Sequence, residues 1–251
     1  MMVMAQRPDL APPSRVKFPA NVLGHLLGEG LQEGTSIALS GPPSAGKTIF
    51  YETLVEGFID SNAGWICVTL DRSPSEIRND LHQLGIDVFK LEDEKRLLFI
   101  DGYSWLAGSS TETFRVENLA NLPELLILID RALSRVKGLI FLVLDSISPL
   151  LVHNPETDVV KFLQMLAARV KRCKGIGIFV VQAGVHNQEF YNALAYLVDG
   201  VFSMKIEEEK GKIRRYFRIS SLRSSTHQAD WVPFIIKSNS GFILQDLEVS
   251  P

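Results

Sequence analysis

The run GPPSAGKT at residues 41–48 constrains the fold more than any other part of the chain. A short apolar stretch, 36–40, leads into it, and Ile49, Phe50, Leu54 and Phe58 follow at helical spacing. Strand, glycine-rich turn and helix are therefore consecutive, the context in which such a run binds phosphate. Gly41 and Gly46 let the backbone turn tightly with its N–H groups inward, and the helix start adds its positive dipole end. Gly41, Pro42, Pro43, Ser44, Ala45, Gly46, Lys47, Thr48 and Ile49 are the expected nucleotide contacts. Lys47 is expected on the β- and γ-phosphates and Thr48 on Mg²⁺ through its hydroxyl.

A loop of this kind requires a second strand that ends in a carboxylate facing the metal. The run 139–144 followed by Asp145 supplies it, with Ser146 expected to support Asp145 by hydrogen bonding. Hydrolysis further requires a group that orients or deprotonates water. Asp71, at the end of WICVTLD, is the candidate, because capping of the next helix accounts for Ser73 and not for Asp71. Gln182, ending a later strand, is the candidate sensor of the γ-phosphate, passing its presence to residues 183–191.

The rest of the chain supplies the frame. Runs at 36–40, 65–70, 97–101, 139–145 and 176–182 read as buried strands, alternating with helical patterns at 48–61, 73–84, 122–136 and 158–173. This alternation predicts a parallel sheet with helices on both faces. After about residue 198 the helices stop, and strands at 201–206, 216–222 and 234–237 predict an antiparallel extension, with EEEKGK at 207–212 as a hairpin tip. Residues 1–14, with three prolines among polar neighbours, read as a flexible lead-in. Cys67 and Cys173 stand apart, so neither a disulfide framework nor a zinc site is indicated. No apolar run is long enough to cross a bilayer, and a cytoplasmic protein is expected. The net charge of -3 disfavours a role centred on the nucleic-acid backbone.

Together with FIDGYSW at 99–105, LVLDSIS at 142–148, YLVDGVFSM at 196–204, LRSSTH at 222–227 and WVPFIIKSNSGF at 231–242, these motifs resemble the KaiC/RadA branch of the RecA-like ATPases. The likeness is to its single-domain KaiC-like proteins and covers residues 15 to about 246. It implies an α/β fold, a RecA-like P-loop NTPase core with a mostly parallel central sheet flanked by helices and a C-terminal antiparallel extension, as one ATPase domain over 15–251. It also implies ATP and Mg²⁺ as ligands and a homo-oligomer, a hexameric ring or filament, with nucleotide between subunits. A single phosphate-binding loop separates the chain from the two-domain circadian KaiC proteins.

The sequence departs from the family pattern at two places. Where the family commonly has two glutamates before Ser-Pro, this chain has Asp71 and Arg72, which points to slow hydrolysis. Where the family has Lys-Met/Leu-Arg-Gly-Thr reaching the neighbouring subunit's phosphates, this chain has Ser221, Leu222, Arg223, Ser224 and Ser225. Arg223 is the candidate finger acting in trans. The expected function is a slow, homo-oligomeric ATPase acting as a nucleotide-dependent switch for an unidentified protein partner. The alternatives are a recombinase paralogue binding single-stranded DNA, suggested by Lys171, Arg172, Lys174 and the basic residues of 210–215, and a ring subunit that binds ATP without efficient hydrolysis. Tyr103 and Trp105 read as an aromatic platform or, more simply, as packing under a loop.

Overall fold

The computed structural model describes residues 14–108 and 110–245. The proposed lead-in at 1–14 lies outside them except for Ser14, as do the last residues of the proposed domain, 246–251. The chain begins with β1 (Arg15–Val16), a π turn and the short helix α1 (His25–Leu27), then β2 (Leu31–Gln32), which pairs antiparallel with β1. The core follows as β3 (Ser36–Gly41), α2 (Lys47–Gly57), β4 (Gly64–Thr69), α3 (Pro74–Gln83), α4 (Val88–Asp93), β5 (Leu97–Asp101) and β6 (Phe114–Arg115). After it come α5 (Leu122–Leu133), β7 (Ile140–Asp145), α6 (Ser148–His153), α7 (Glu156–Arg172), β8 (Ile176–Gln182) and α8 (Gln188–Leu197). Four strands follow: β9 (Gly200–Glu209), β10 (Lys212–Leu222), β11 (Val232–Lys237) and β12 (Gly241–Leu244).

Among the described residues, ten strands form one sheet in the order β12-β11-β10-β9-β3-β8-β7-β4-β5-β6. The pairs from β6 to β9 are parallel, and those from β9 to β12 antiparallel. The α/β fold expected from the sequence is therefore present, with its antiparallel part beginning one strand later than predicted. β9 still runs parallel to β3, pairing Ile37 with Gly200 and Ser40 with Ser203.

β4 and β7 are buried along their whole length, because helices cover both faces of the sheet. One face carries α2, α3 and α4 over a core including Phe50, Leu54, Ile77 and Phe141. The other carries α5, α7 and α8 over Leu125, Ile129, Phe162, Leu166 and Phe190. In α7 the buried residues Val159, Phe162, Leu163, Leu166 and Val170 recur at helical spacing. Several helix starts are set by local chemistry. Ser73 and Glu76 form a reciprocal capping box on α3, while Asp87, Asn121 and Asn187 each accept an N–H from the first turn of α4, α5 and α8.

The predicted hairpin tip is mostly strand. β9 runs through Glu209 and β10 starts at Lys212, leaving Lys210 (φ 52°) and Gly211 (φ 72°) as the two turn residues. Two consecutive positive φ values are what a twisted two-residue hairpin demands. The helix predicted over 48–61 stops at Gly57, whose Cα lies against Pro19: a Cβ there would come within 2.6 Å of the proline ring. Cys67 is buried, whereas Cys173 is half-exposed, and both are free thiols.

The antiparallel extension is tied to the phosphate-loop helix by aromatic packing. Phe50 of α2 stacks on Phe217 of β10 at 5.4 Å between ring centroids, and Phe217 meets Phe202 and Phe242 edge-on. Phe217→Ala would empty a fully buried site in this cluster. A loss of about 3–5 kcal/mol is expected, read as a lower denaturant midpoint with an unchanged slope.

Candidate functional site

The carboxyl ends of β3, β4, β7 and β8 meet at one edge of the sheet. Register brings them there: Gly41 pairs with Gln182, and Thr69 with Asp145. Between β3 and α2 the loop closes over Lys47, which is only 6% exposed. The Lys47 ammonium donates to Gly41 O at 2.9 Å, Pro42 O at 2.8 Å and Gln182 Oε1 at 2.8 Å. Three donors thus have three acceptors. Burial lowers the Lys47 pKa to about 8, with Asp145 and Asp71 pulling it back up.

Gly46 stands at φ 102°, and a Cβ at this position would lie 3.1 Å from Ile236, so side-chain-free backbone is required where the loop enters α2. Thr48 Oγ1 lies 3.5 Å from Asp145 Oδ2. The same carboxylate oxygen accepts from the Tyr51 hydroxyl at 2.7 Å. Burial pushes the Asp145 carboxyl above its usual range, opposed by the Tyr51 hydrogen bond and by the positive charges of Arg72 and Lys47. A bound cation would pull it down further.

A cleft of about 570 Å³ opens over these groups, lined on one side by Ser44, Gly46, Lys47, Thr48 and Ile49 and on another by Asp71, Arg72, Asp145 and Gln182. The turn between β11 and β12, at Lys237, Ser238 and Asn239, forms a further wall. Of the sequence candidates, Lys47, Thr48, Ile49, Asp71, Asp145 and Gln182 share this cleft. Arg223 does not. It follows β10 at Leu222, which pairs with Gly200 beside the start of β3, so it sits at the opposite edge of the sheet. There it donates to Tyr196 O at 2.8 Å.

Ser146 departs from expectation. Its hydroxyl donates to Asp71 Oδ2 and not to Asp145, whose partner is Tyr51. The two strand-end carboxylates are thus held by different groups. In the FIDGYSW motif, Asp101 accepts from the N–H groups of Tyr103 and Ser104 and from the Ser110 hydroxyl. These bonds outweigh its burial and hold its carboxyl below the usual range. Trp105 bonds Gly102 O through its indole N–H, in keeping with packing under the loop.

A family model described as "ATPase: KaiC" matches residues 20–248. The chain belongs to the KaiC family of ATPases. Among relatives of this KaiC-family chain, a UPF0273 protein of Methanocaldococcus jannaschii is 30% identical over 242 residues, covering 92% of this chain and 96% of that one. A UPF0273 protein of Pyrococcus furiosus is 26% identical, covering 92% and 94%. The crystal structure of a KaiC-like protein from Pyrococcus horikoshii superposes with a TM-score of 0.77 at 22% identity, covering 94% of this chain and all of that one, which supports the RecA-like fold.

The KaiC-family cleft also holds polar residues that the motifs did not single out. Glu52 lies four residues beyond Thr48, hence on the same face of α2, a spacing visible in the sequence, while Tyr51, four beyond Lys47, is buried against Asp145 and does not line the cleft. Asp80 and Gln83 enter from α3. Glu52 is buried, and burial pushes its carboxyl up to about 8, with Asp80 reinforcing, Arg72 opposing and Asp145 reinforcing. An acid raised in the folded state releases its proton at a cost, so stability present below the unfolded pKa of 4.5 is lost as pH rises toward 8. Glu52→Gln removes that cost. Thermal melts from pH 5 to pH 8.5 are expected to show wild type losing stability relative to Glu52→Gln by up to a few kcal/mol, with the gap widest at high pH.

Proposed function

We propose that this KaiC-family chain binds Mg²⁺·ATP, hydrolyses it slowly within a homo-oligomer, and serves as a nucleotide-dependent regulatory or assembly switch for a protein partner. We read residues 15–251 as its single ATPase domain. The observation that carries the proposal is the state of Lys47: a buried ammonium whose acceptors are two carbonyls of its own loop and the movable Gln182 side chain. Phosphate oxygens can take over those donors with little change in the fold.

The residues present suit the ligand. The backbone N–H groups of Ser44, Ala45, Gly46, Lys47, Thr48 and Ile49 would form the cradle, with Gly41, Pro42 and Pro43 shaping its turn, and Thr48 and Asp145 would hold Mg²⁺. The bound metal and nucleotide supply the phosphoanhydride and the charge that polarises it. Tyr51 keeps Asp145 aimed at Thr48. Asp71 is the group proposed to accept a proton from water, and its bond from Ser146 leaves one carboxylate oxygen for that task. Gln182, on giving up Lys47, is free to report an occupied site through β8, where its backbone carbonyl accepts from Tyr191 of α8 at 2.5 Å. Arg223, at the far edge of the sheet from its own cleft, is suited to a neighbour's site and not to its own.

On the hairpin, acidic neighbours offset part of the charge that the DNA-binding alternative draws on. Arg214 pairs with Glu209 at 2.9 Å and Lys205 with Glu207, and the register sets Arg214 opposite Glu207. Lys210, Lys212 and Arg215 make no ion pair among the described residues, so the offset is partial. Among the described residues, no helix is long and apolar enough to cross a membrane.

Lys47→Ala is expected to weaken ATP binding about 100-fold or more in equilibrium titration, and wild-type turnover to fall well below the ~10 s⁻¹ of a median enzyme. Wild-type protein that binds no nucleotide would overturn the proposal. Arg223→Ala is expected to lose turnover while keeping affinity. Mixing it with Lys47→Ala subunits should restore part of the activity, because each variant supplies the group the other lacks.

A further inference from the structure

Arg72 takes no part in the proposed reaction. It follows Asp71 beyond the end of β4, and its guanidinium lines the cleft shared by Lys47, Thr48 and Asp145. Two acids face it there. Nη2 lies 2.5 Å from Asp80 Oδ2 on α3, while Nη1 lies 3.8 Å from Glu52 Oε1 on α2, beyond hydrogen-bond length.

Glu52 Oε1 is buried with no hydrogen-bond partner, although an arginine stands beside it. With its pKa pushed up to about 8, Glu52 carries its proton at neutral pH, and a neutral acid is a weak holder of a guanidinium. Asp80 is then the single tight anionic partner. Both members of that pair are partly exposed, with side-chain accessibilities of 29% and 34%, and partly exposed pairs hold weakly. A guanidinium has five donors, and phosphate oxygens match its fork better than one carboxylate oxygen does.

We propose that Arg72 is a phosphate-directed cation acting within its own subunit, parked on Asp80 and beside Glu52, and drawn to the terminal phosphate of a nucleoside triphosphate. It thereby sets a preference for triphosphate over diphosphate. The proposal rests on the nucleotide-binding role of the cleft. Arg72 is then a built-in sensor of the third phosphate. Asp80 is the latch, and its hold is what the ligand competes against.

The test is equilibrium binding of Mg²⁺·ATPγS and Mg²⁺·ADP to the full chain, which needs no turnover. Arg72→Ala and the bulk-preserving Arg72→Gln are expected to weaken ATPγS about tenfold and ADP less than about twofold, so the preference collapses. Arg72→Lys, which keeps the charge without the fork, should retain part of the preference. Asp80→Asn, which unlatches the arginine, should tighten ATPγS a few-fold and leave ADP unchanged. Equal weakening of both ligands in Arg72→Gln, no weakening of either, or loss of ATPγS affinity in Asp80→Asn would overturn the proposal. If wild type binds neither ligand, the nucleotide-binding role itself fails, and a preference unchanged by the variants removes only the role of Arg72.

Discussion

The pairing of β3 with β8 is the constraint on which the rest of the site depends. In-register parallel hydrogen bonding from Ser36↔Gly177 to Gly41↔Gln182 fixes the loop opposite Gln182, and Lys47 then bonds both. Because β8 lies between β3 and β7, it also sets how far Asp145 stands from the loop. A one-residue slip would turn every side chain of β8 to the other face. Continuous burial on both faces makes such a slip prohibitive, since Ile178 and Phe179 belong to opposite cores. The chemistry at the strand ends is thus placed by the apolar residues behind it.

Around that frame, the cleft gathers the carboxyl groups of Glu52, Asp71, Asp80 and Asp145 with the cations Lys47 and Arg72. Burial in a partly dry space disfavours charge. It pushes the Glu52 carboxyl up to about 8 and raises the Asp145 carboxyl, while it lowers the Lys47 ammonium to about 8. A magnesium-bound polyphosphate, the proposed ligand, would bring charges of both signs into this space. Occupancy of the cleft is therefore coupled to where its protons sit.

Much of this was legible in the residues. The glycine-rich run fixed a strand, a turn and a helix at once, and continuous apolar runs marked the buried strands, because a strand covered on both faces has no polar phase to obscure it. Boundaries of β5 and β8 match the residues closely. The short helices α4 and α6 and the strand β6 were illegible for the opposite reason: they are too brief to establish a period, and tertiary contacts define them. β9 reads like its antiparallel neighbours in sequence, since direction is a property of pairing and not of composition. Within the site, residues tied to the loop motif were found, whereas Tyr51, Glu52 and Asp80 were not. They matter through buried neighbours contributed by other elements, and a partner distant in sequence leaves no local mark. Ser146 was assigned the wrong partner because adjacency in the chain suggests Asp145, while the fold turns its hydroxyl to Asp71.

β10 runs from the edge of the sheet that carries the cleft to the opposite edge. Near one end Arg215 donates to Ser44 O of the phosphate loop at 3.3 Å, and just past the other end stands Arg223. The eight residue steps between them cover roughly 27 Å of nearly inextensible chain. β10 is hydrogen-bonded to β9 on one side and to β11 on the other, so the tie to the loop and the placing of Arg223 belong to one fixed ladder. The register shift between Ile219 and Ser221 interrupts that ladder just before Arg223. An irregularity of this kind re-aims the residues beyond it, so the direction in which Arg223 leaves the sheet is set locally, by a single extra residue.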